Sequence, residues 1–333
     1  MQSILIIRLS SLGDVILATA LVRQIERSLP QMNIDVAVDA RFSAVWAHNP
    51  RVRRVYPIER SVGTSDDLTK GARQAPYDII VDLQKNRRSG RLISSLAPPA
   101  TTQVVSIHKH RLEKLLLVWL KKRPKRITSI IERYWKPLAR FGVDLDPHGP
   151  EVWSADGTCG GDLPATHVGI APGARHDTKR WPAERYAELI RQLVEQRQQK
   201  VMLLGGPDDV QLCDRIAELA GVPLQRADGA RDLTQTVQAL ESCRIVVSND
   251  SAVMHLATAR QRPVVAIFGS TVRELGFAPT GDHVRIVERE DVSCRPCSHI
   301  GRDRCPKGHF DCMRLISASD VLAAIDDVMR LAP

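Results

Sequence analysis

The sequence predicts an α/β protein made of two Rossmann-like domains, each with a parallel sheet. Three observations carry that expectation. Short apolar runs alternate with helical-period stretches along most of the chain. An irregular passage rich in Gly, Pro and Asp at 143–164 separates two such series. At 333 residues the chain exceeds one ordinary core and suits two, of roughly 150 residues each. The boundary is placed within the irregular passage, giving a first domain over 1–155 and a second over 156–333.

Residues 3–8 read as a short buried strand, Leu9-Ser10-Ser11-Leu12-Gly13-Asp14 as a turn, and 15–29 as a helix. Val15, Ala18, Val22, Ile25 and Leu29 share one helical face, and Pro30 closes the run. Asp14 is either an ordinary residue of a first βα turn or a carboxylate at the ligand-facing edge, available to abstract a proton. The GxGxxG fingerprint is absent, which argues against a nicotinamide dehydrogenase. Further strands are expected at 34–39, 53–57, 77–83 and 103–107. After the third of these comes Gln84-Lys85-Asn86-Arg87-Arg88-Ser89, which is either a cradle for an anion or a solvated helix start. Residues 108–126 combine a Leu/Val/Trp face with basic flanks. They form either a helix packed on the sheet or a surface element lying against anionic lipid.

In the second series, 168–172 is a strand leading into Gly173-Ala174-Arg175-His176-Asp177-Thr178-Lys179-Arg180-Trp181-Pro182, and Pro182 opens a helix through 198. Residues 200–204 form a strand ending in Gly205-Gly206-Pro207, and 232–241 a helix. Then 244–247, Ser248-Asn249-Asp250, 251–259 and 263–269 make strand, polar turn, helix and strand. Asn249, Asp250 and Ser251 are all good N-cap residues. A helix N-terminus at the carboxyl edge of a parallel sheet suits a phosphate-bearing ligand.

The net charge of +9 and a pI near 9.4 point to anionic partners. Four Tyr, five Phe and five Trp are scattered without a stacking platform, so nucleic acid is not expected. No apolar run approaches the roughly 18–20 residues of a membrane span, and the N-terminus reads as a strand rather than a signal peptide. Seven cysteines, an odd number, fit a reducing compartment, and the expected location is the cytoplasm. Cys294, Cys297, Cys305 and Cys312 cluster within about 20 residues beside His299 and His309. They are reduced loop-packed thiols, a set holding one labile disulfide, or the ligands of a structural zinc or iron–sulfur cluster. A catalytic role is not expected, since closed four-cysteine sites are structural.

Several separated stretches together resemble glycosyltransferase family 9, the heptosyltransferases of lipopolysaccharide core assembly. They are Arg8-Leu9-Ser10-Ser11-Leu12-Gly13-Asp14, Pro172-Gly173-Ala174 with Lys179-Arg180-Trp181-Pro182, Leu203-Leu204-Gly205-Gly206-Pro207, Ser248-Asn249-Asp250-Ser251 with His255, and Phe268-Gly269-Ser270-Thr271. The Cys-rich tail resembles the heptosyltransferase II branch. Ala252 departs from the family, which commonly has Gly there.

The resemblance implies a GT-B fold, two Rossmann-like domains whose parallel sheets face a central cleft. It implies ADP-heptose as donor, inverting transfer, and no cofactor for catalysis. The implied acceptor is an anionic, lipid-A-linked core oligosaccharide at the cytoplasmic face of the inner membrane, with peripheral membrane contact. Asp14 matches the family's base and Lys179 its diphosphate-contacting lysine. Donor contacts are expected from Thr178, Lys179, Arg180, Gly205, Asn249, Asp250, Ser251, Ala252 and His255. Acceptor contacts are expected from Ser10, Ser11, Gly13, Asn86, Arg87 and Arg88. The competing readings are another sugar nucleotide or acceptor glycan, a sugar-nucleotide epimerase, and a non-catalytic nucleotide-binding protein.

Overall fold

A computed structural model of the chain describes residues 2–124, 126–160 and 165–331. Lys125 and residues 161–164, which fall inside the basic segment and the interdomain passage read from sequence, lie outside the described residues. The chain divides into two compact units. One is Met1–Lys109 with Ile130–Cys159, the other His110–Ser129 with Gly160–Pro333. The single crossing expected at 155/156 is thus replaced by three, because residues 110–129 cluster with the second unit. Their packing explains this: Leu117 is buried against Val272 and Leu275.

The first unit carries strands β1 (Ser3–Ile7), β2 (Asn33–Asp39), β3 (Arg54–Ile58), β4 (Ile79–Asp82) and β5 (Gln103–Ser106). They form one parallel sheet in the order β3-β2-β1-β4-β5. Its helices are α1 (Leu12–Ser28), α2 (Asp66–Gln74) and α3 (Arg87–Leu96), and α5 (Ile130–Trp135) returns to it after the excursion. The core strands are continuous apolar runs, as a sheet covered on both faces requires; Ile4 to Ile7 are all buried. The irregular passage has no regular element over 144–151, yet it is pinned to α1. Arg23 pairs with Asp146 at 2.9 Å and with Glu151 at 2.6 Å, and the Glu151 amide donates to Thr19 Oγ1 at 2.8 Å.

In the second unit, α4 (Arg111–Trp119) precedes β6 (His167–Ala171), α6 (Ala183–Arg191), β7 (Lys200–Leu204), α7 (Val210–Ala220), β8 (Gln225–Ala227), α8 (Leu233–Glu241), β9 (Cys243–Asn249), α9 (Ala252–Ala259), β10 (Val264–Phe268) and β11 (Val284–Glu288). The chain ends in α10 (Asp311–Arg314) and α11 (Ala318–Leu331). The six strands are parallel in the order β11-β10-β9-β6-β7-β8. The expected helix at 108–126 is only the nine residues of α4. No helix among the described residues is long and apolar enough to cross a membrane.

Strand order reverses between β1 and β4 in the first sheet and between β6 and β9 in the second. Open parallel sheets bind ligands at the carboxyl ends of the strands beside such a reversal. Both sets of residues singled out in the sequence fall there.

Candidate functional site

At the first reversal, β1 runs into Arg8 and the N-terminus of α1. The helix begins at Leu12, three residues before the start expected from its apolar face. The cause is a capping box, in which Asp14 at the third helical position accepts from the Ser11 amide at 3.2 Å and the Ser11 hydroxyl at 2.7 Å. Asp14 therefore sits in the first helical turn rather than in a free turn. Its other oxygen meets Arg8 at 2.7 Å and accepts from the Tyr134 hydroxyl at 3.1 Å. Arg8 in turn lies over the Tyr134 ring and donates to the Leu83 carbonyl. The Asp14 side chain is 18% exposed, so a substrate can reach it. Burial pushes its carboxyl up, but the Arg8 guanidinium, Ser11 and Tyr134 outweigh that and hold it below the usual carboxylate range. It is ionised at neutral pH. Ser10 is fixed by its amide, which donates to Gln84 Oε1 at 3.1 Å, and Gly13 lies in the first turn of α1.

The end of β4 lies across the reversal. Asn86 caps α3, accepting from the Arg88 and Ser89 amides at 3.0 and 3.1 Å. The sequence assigned Asn86 to the acceptor; here its side-chain oxygen serves the backbone. Arg87 is exposed, while Arg88 leans to within 3.6 Å of Asp39 at the end of β2. Asp39 also pairs with Arg41 at 2.8 Å and Arg60 at 3.0 Å. Burial opposes ionisation of Asp39, but the hydrogen bonds from Arg41 and Arg60 prevail and lower it to about 2. Three guanidiniums thus share one buried carboxylate and leave an excess of positive charge at this edge. The sequence reading found Arg88 but not Arg41 and Arg60. Arg41 follows Asp39 by two residues and Arg60 lies beyond β3, and nothing in the sequence marks either as a partner of Arg88.

At the second reversal, the loop after β6 meets the loop after β9. Lys179 Nζ lies 2.7 Å from Asp250 Oδ2, with side-chain exposures of 16% and 8%. The Thr271 hydroxyl donates to the same carboxylate oxygen at 2.6 Å. Asp250 thus aims Lys179 at the start of α9. Ser251, not Asp250, caps that helix, and Ala252 and Val253 lie half-buried in its first turn, where amides have no intrahelical acceptor. His255 was expected to face the ligand if Asp250 were the cap. Moving the cap by one residue rotates every later side chain by about 100°, and His255 is buried.

Two further expected donor contacts are also committed inside the protein. Asn249 is buried, donating to the Pro172 carbonyl at 2.7 Å and accepting from the Trp181 amide at 3.2 Å. It ties the two loops together. Buried Thr178 donates to the Arg302 carbonyl at 2.9 Å and accepts from the Arg302 amide at 2.8 Å and from Ser270 at 3.1 Å. Arg180 braces its own loop, donating to the Ala174 carbonyl at 2.8 Å and pairing with Asp177 at 2.9 Å. A depression of about 380 Å3 opens beside them, lined by residues that include Asp177, Thr178, Asp303 and Cys305.

Gly205 and Gly173 have a shared reason for being glycine. A Cβ on Gly173 would stand 2.3 Å from Asp209 Oδ1, and one on Gly205 2.8 Å from Asp209 Cβ. Asp209 fills that space and accepts from the Gly206 amide at 3.0 Å. Burial raises its carboxyl above the usual range. Arg295, also unforeseen, is a buried clamp. Its guanidinium donates to the carbonyls of Phe268, Gly269, Thr271 and Arg289 and to Glu288. Through it the Cys-rich loop holds the end of β10 and its following turn. Cys294, Cys297 and Cys305 in that loop and Cys312 in α10 are all free thiols, with Cys294 Sγ 3.7 Å from His309 Nε2. Burial raises the Cys297 thiol and pushes Cys312 to about 12.

Two parallel-sheet units, with an ionised carboxylate at one reversal and a lysine beside a helix N-terminus at the other, have the GT-B fold of nucleotide-sugar glycosyltransferases. The family model described as "Glycosyltransferase family 9 (heptosyltransferase)" matches residues 66–305. The chain belongs to glycosyltransferase family 9, and it is a glycosyltransferase. It is 27% identical over 305 residues to lipopolysaccharide heptosyltransferase 2 of Escherichia coli K12, covering 85% of this chain and 86% of that one. It is 26% identical over 340 residues to lipopolysaccharide heptosyltransferase 3 of the same organism, covering 95% of each. The solved structure of E. coli ADP-heptose LPS heptosyltransferase II superposes with a TM-score of 0.74 at 22% identity, over 99% of both chains. These likenesses do not separate the type 2 from the type 3 enzymes.

Proposed function

We propose that the protein transfers L-glycero-D-manno-heptose from ADP-heptose, with inversion, to the inner core of lipopolysaccharide, as a heptosyltransferase of type II. The observation that carries the reading is the Lys179–Asp250 pair at the second sheet's reversal, beside the first turn of α9. A lysine and free helix amides make a site for a diphosphate without a metal. Lys179 offsets the charge that builds on the departing ADP, Asp250 and Thr271 position Lys179, and Arg180, Gly205, Ser251 and Ala252 border the site. The acceptor is held by the first unit, by Ser10, Ser11 and Gly13 around Asp14 and by Arg87 and Arg88 at the start of α3, which follows the neighbouring strand β4. The Arg41, Arg60 and Arg88 guanidiniums suit an acceptor that carries carboxylates or phosphates.

In the transfer, the acceptor hydroxyl attacks the anomeric carbon and the bond from that carbon to the β-phosphate oxygen breaks. Asp14 takes the hydroxyl proton, and ADP leaves with the bonding electron pair. Asp14 is a weak base at rest because Arg8, Ser11 and Tyr134 already satisfy it. Proton transfer therefore suits a late point, when the attacking oxygen has become acidic and has displaced one of those hydrogen bonds. Asp14→Asn should lower turnover by about 100-fold or more while ADP affinity stays at the wild-type value. Near-normal turnover would remove Asp14 from the mechanism. A family 9 enzyme for another sugar nucleotide or glycan is the second reading, since the relatives of types 2 and 3 are equally similar. Calorimetry with ADP, UDP, GDP and AMP separates the two, with selective ADP binding expected.

Thiols and an imidazole are ligand types that suit zinc or iron in a structural role, although of this set only Cys294 Sγ and His309 Nε2 stand close together, at 3.7 Å, so a metal would have to draw the other thiols in. Metal there would hold the loop that clamps β10 and would leave the transfer chemistry to Asp14 and Lys179. Elemental analysis of protein purified without chelator should find about one metal per chain, lost in Cys294→Ser/Cys297→Ser. Metal-free protein of equal stability and activity would leave these residues as plain thiols. Work at the cytoplasmic face of the inner membrane, as a peripheral protein, agrees with the net charge of +9 and with a lipid-linked acceptor.

A further inference from the structure

We infer that α4 is a membrane-docking helix whose apolar face enters the headgroup region of a bilayer containing anionic lipid. Contacts from Leu117 and from the residues just after the helix hold it to the second unit. Leu117 packs with Val272 and Leu275, Lys121 Nζ donates to the Cys294 and Pro296 carbonyls at 3.0 and 2.7 Å, and Arg123 pairs with Glu274 at 3.2 Å. On the other side Leu112, Leu115 and Trp119 stand 65%, 52% and 75% exposed, followed by Leu120 at 69%. Leu112, Leu115, Leu116 and Trp119 follow the i, i+3, i+4, i+7 spacing, so they form one stripe on the face away from Leu117. Large apolar side chains along about two turns of surface helix need a cover.

Charge selects the cover. Between residues 110 and 126 the sequence carries Arg111, Lys114, Lys121, Lys122, Arg123, Lys125 and Arg126 against the single acid Glu113. An exposed Leu/Trp stripe between basic flanks is the signature of an interfacial helix, with the indole at headgroup level and the cations drawn to anionic lipid. Lys121 and Arg123 are engaged with the second unit, and the basic side chains that remain beside the stripe favour an anionic lipid surface over an apolar protein interface. The inference deepens the proposed peripheral location by naming the element that makes the contact. It does not depend on the identity of the donor or acceptor, because lipid binding can be measured without either.

Vesicle co-sedimentation of the full chain tests it, with phosphatidylcholine alone against phosphatidylcholine plus phosphatidylglycerol. The expected result is binding to the mixed vesicles that weakens with added salt. It should drop about tenfold or more in Leu112→Ser/Leu115→Ser/Trp119→Ser, and about fivefold for each of Arg111→Gln and Lys122→Gln. ADP binding, read by calorimetry on the same variants, should stay at the wild-type value; if it holds while lipid binding does not change, the docking helix is wrong and the donor site is untouched. No binding by the wild type, or equal binding to both vesicles and by every variant, overturns the inference. So does a wild-type dimer that becomes monomeric in the triple variant without any vesicle binding, since the stripe would then cover a second copy of the chain.

Discussion

Asp14 and Lys179, the two groups proposed to act in the transfer, share a design: each is held by a neighbour of opposite charge that also restrains it. Arg8 keeps Asp14 ionised, and Asp250 keeps Lys179 aimed. Lys179→Ala should weaken ADP binding about 10- to 100-fold, the worth of one or two charge-assisted hydrogen bonds, and should slow transfer as well. Unchanged affinity and turnover would place the diphosphate elsewhere. The depressed Asp14 carboxyl has a pH consequence with a definite sign. Its folded-state value lies below the unfolded one, so its stabilising contacts are present above the unfolded value and are lost as pH falls through the folded one. The acid limb of the rate profile should accordingly lie below the ordinary carboxylate range, near pH 4. In Arg8→Ala, where burial is no longer opposed by the guanidinium, it should move up. An acid limb that stays in place in Arg8→Ala would show that another group titrates.

Elements explain why some sequence assignments held their place and others changed role. Both βα turns were legible because strands, caps and glycines follow local rules, and those turns do sit at the strand reversals. The burial of Asn249, Thr178 and His255 was not legible, because polar residues beside a ligand loop and polar residues that brace it look alike in sequence. Their burial and the position of the α9 cap emerge only in the folded chain. Arg295, flanked by cysteines in a polar loop, reads as a surface charge, yet it is buried against the carbonyls that end β10. Arg295→Ala should cost about 3 kcal/mol or more, since it leaves buried carbonyls and Glu288 without their donor; thermal unfolding measures it, and a loss below about 0.5 kcal/mol would refute the clamp. Gly173→Ala should also destabilise, by forcing Asp209 away. Because the clash is with Asp209, the penalty should shrink in an Asp209→Ala background. Strictly additive losses would mean that the two positions do not interact.

At the scale of the molecule, the count of domains and the α/β class could be read from length and alternation, and the GT-B fold agrees with the solved relatives. The path of the chain between the units could not. Residues 110–129 cluster with the second unit through Leu117, Lys121 and Arg123, whose partners lie about 150 or more residues onward and leave no local trace. Asp39 likewise gathers Arg60 and Arg88 from 21 and 49 residues onward, beside its near neighbour Arg41. With its carboxyl lowered to about 2, Asp39 contributes stability that is present above the unfolded value of about 4 and is lost between there and about pH 2. Asp39→Asn should flatten that part of the stability curve, and an unchanged acid midpoint would remove Asp39 from the network.

The transfer assay itself tests the central claim most directly. Wild-type protein and Asp14→Asn are each given ADP-heptose and a heptose-bearing inner-core acceptor, and both the acceptor mass and ADP release are followed. The expected result is an acceptor lengthened by one heptose, with one ADP released per transfer, in the wild type, and almost none in the variant despite equal ADP binding. ADP release without a lengthened acceptor, or transfer that proceeds equally in both proteins, would contradict it.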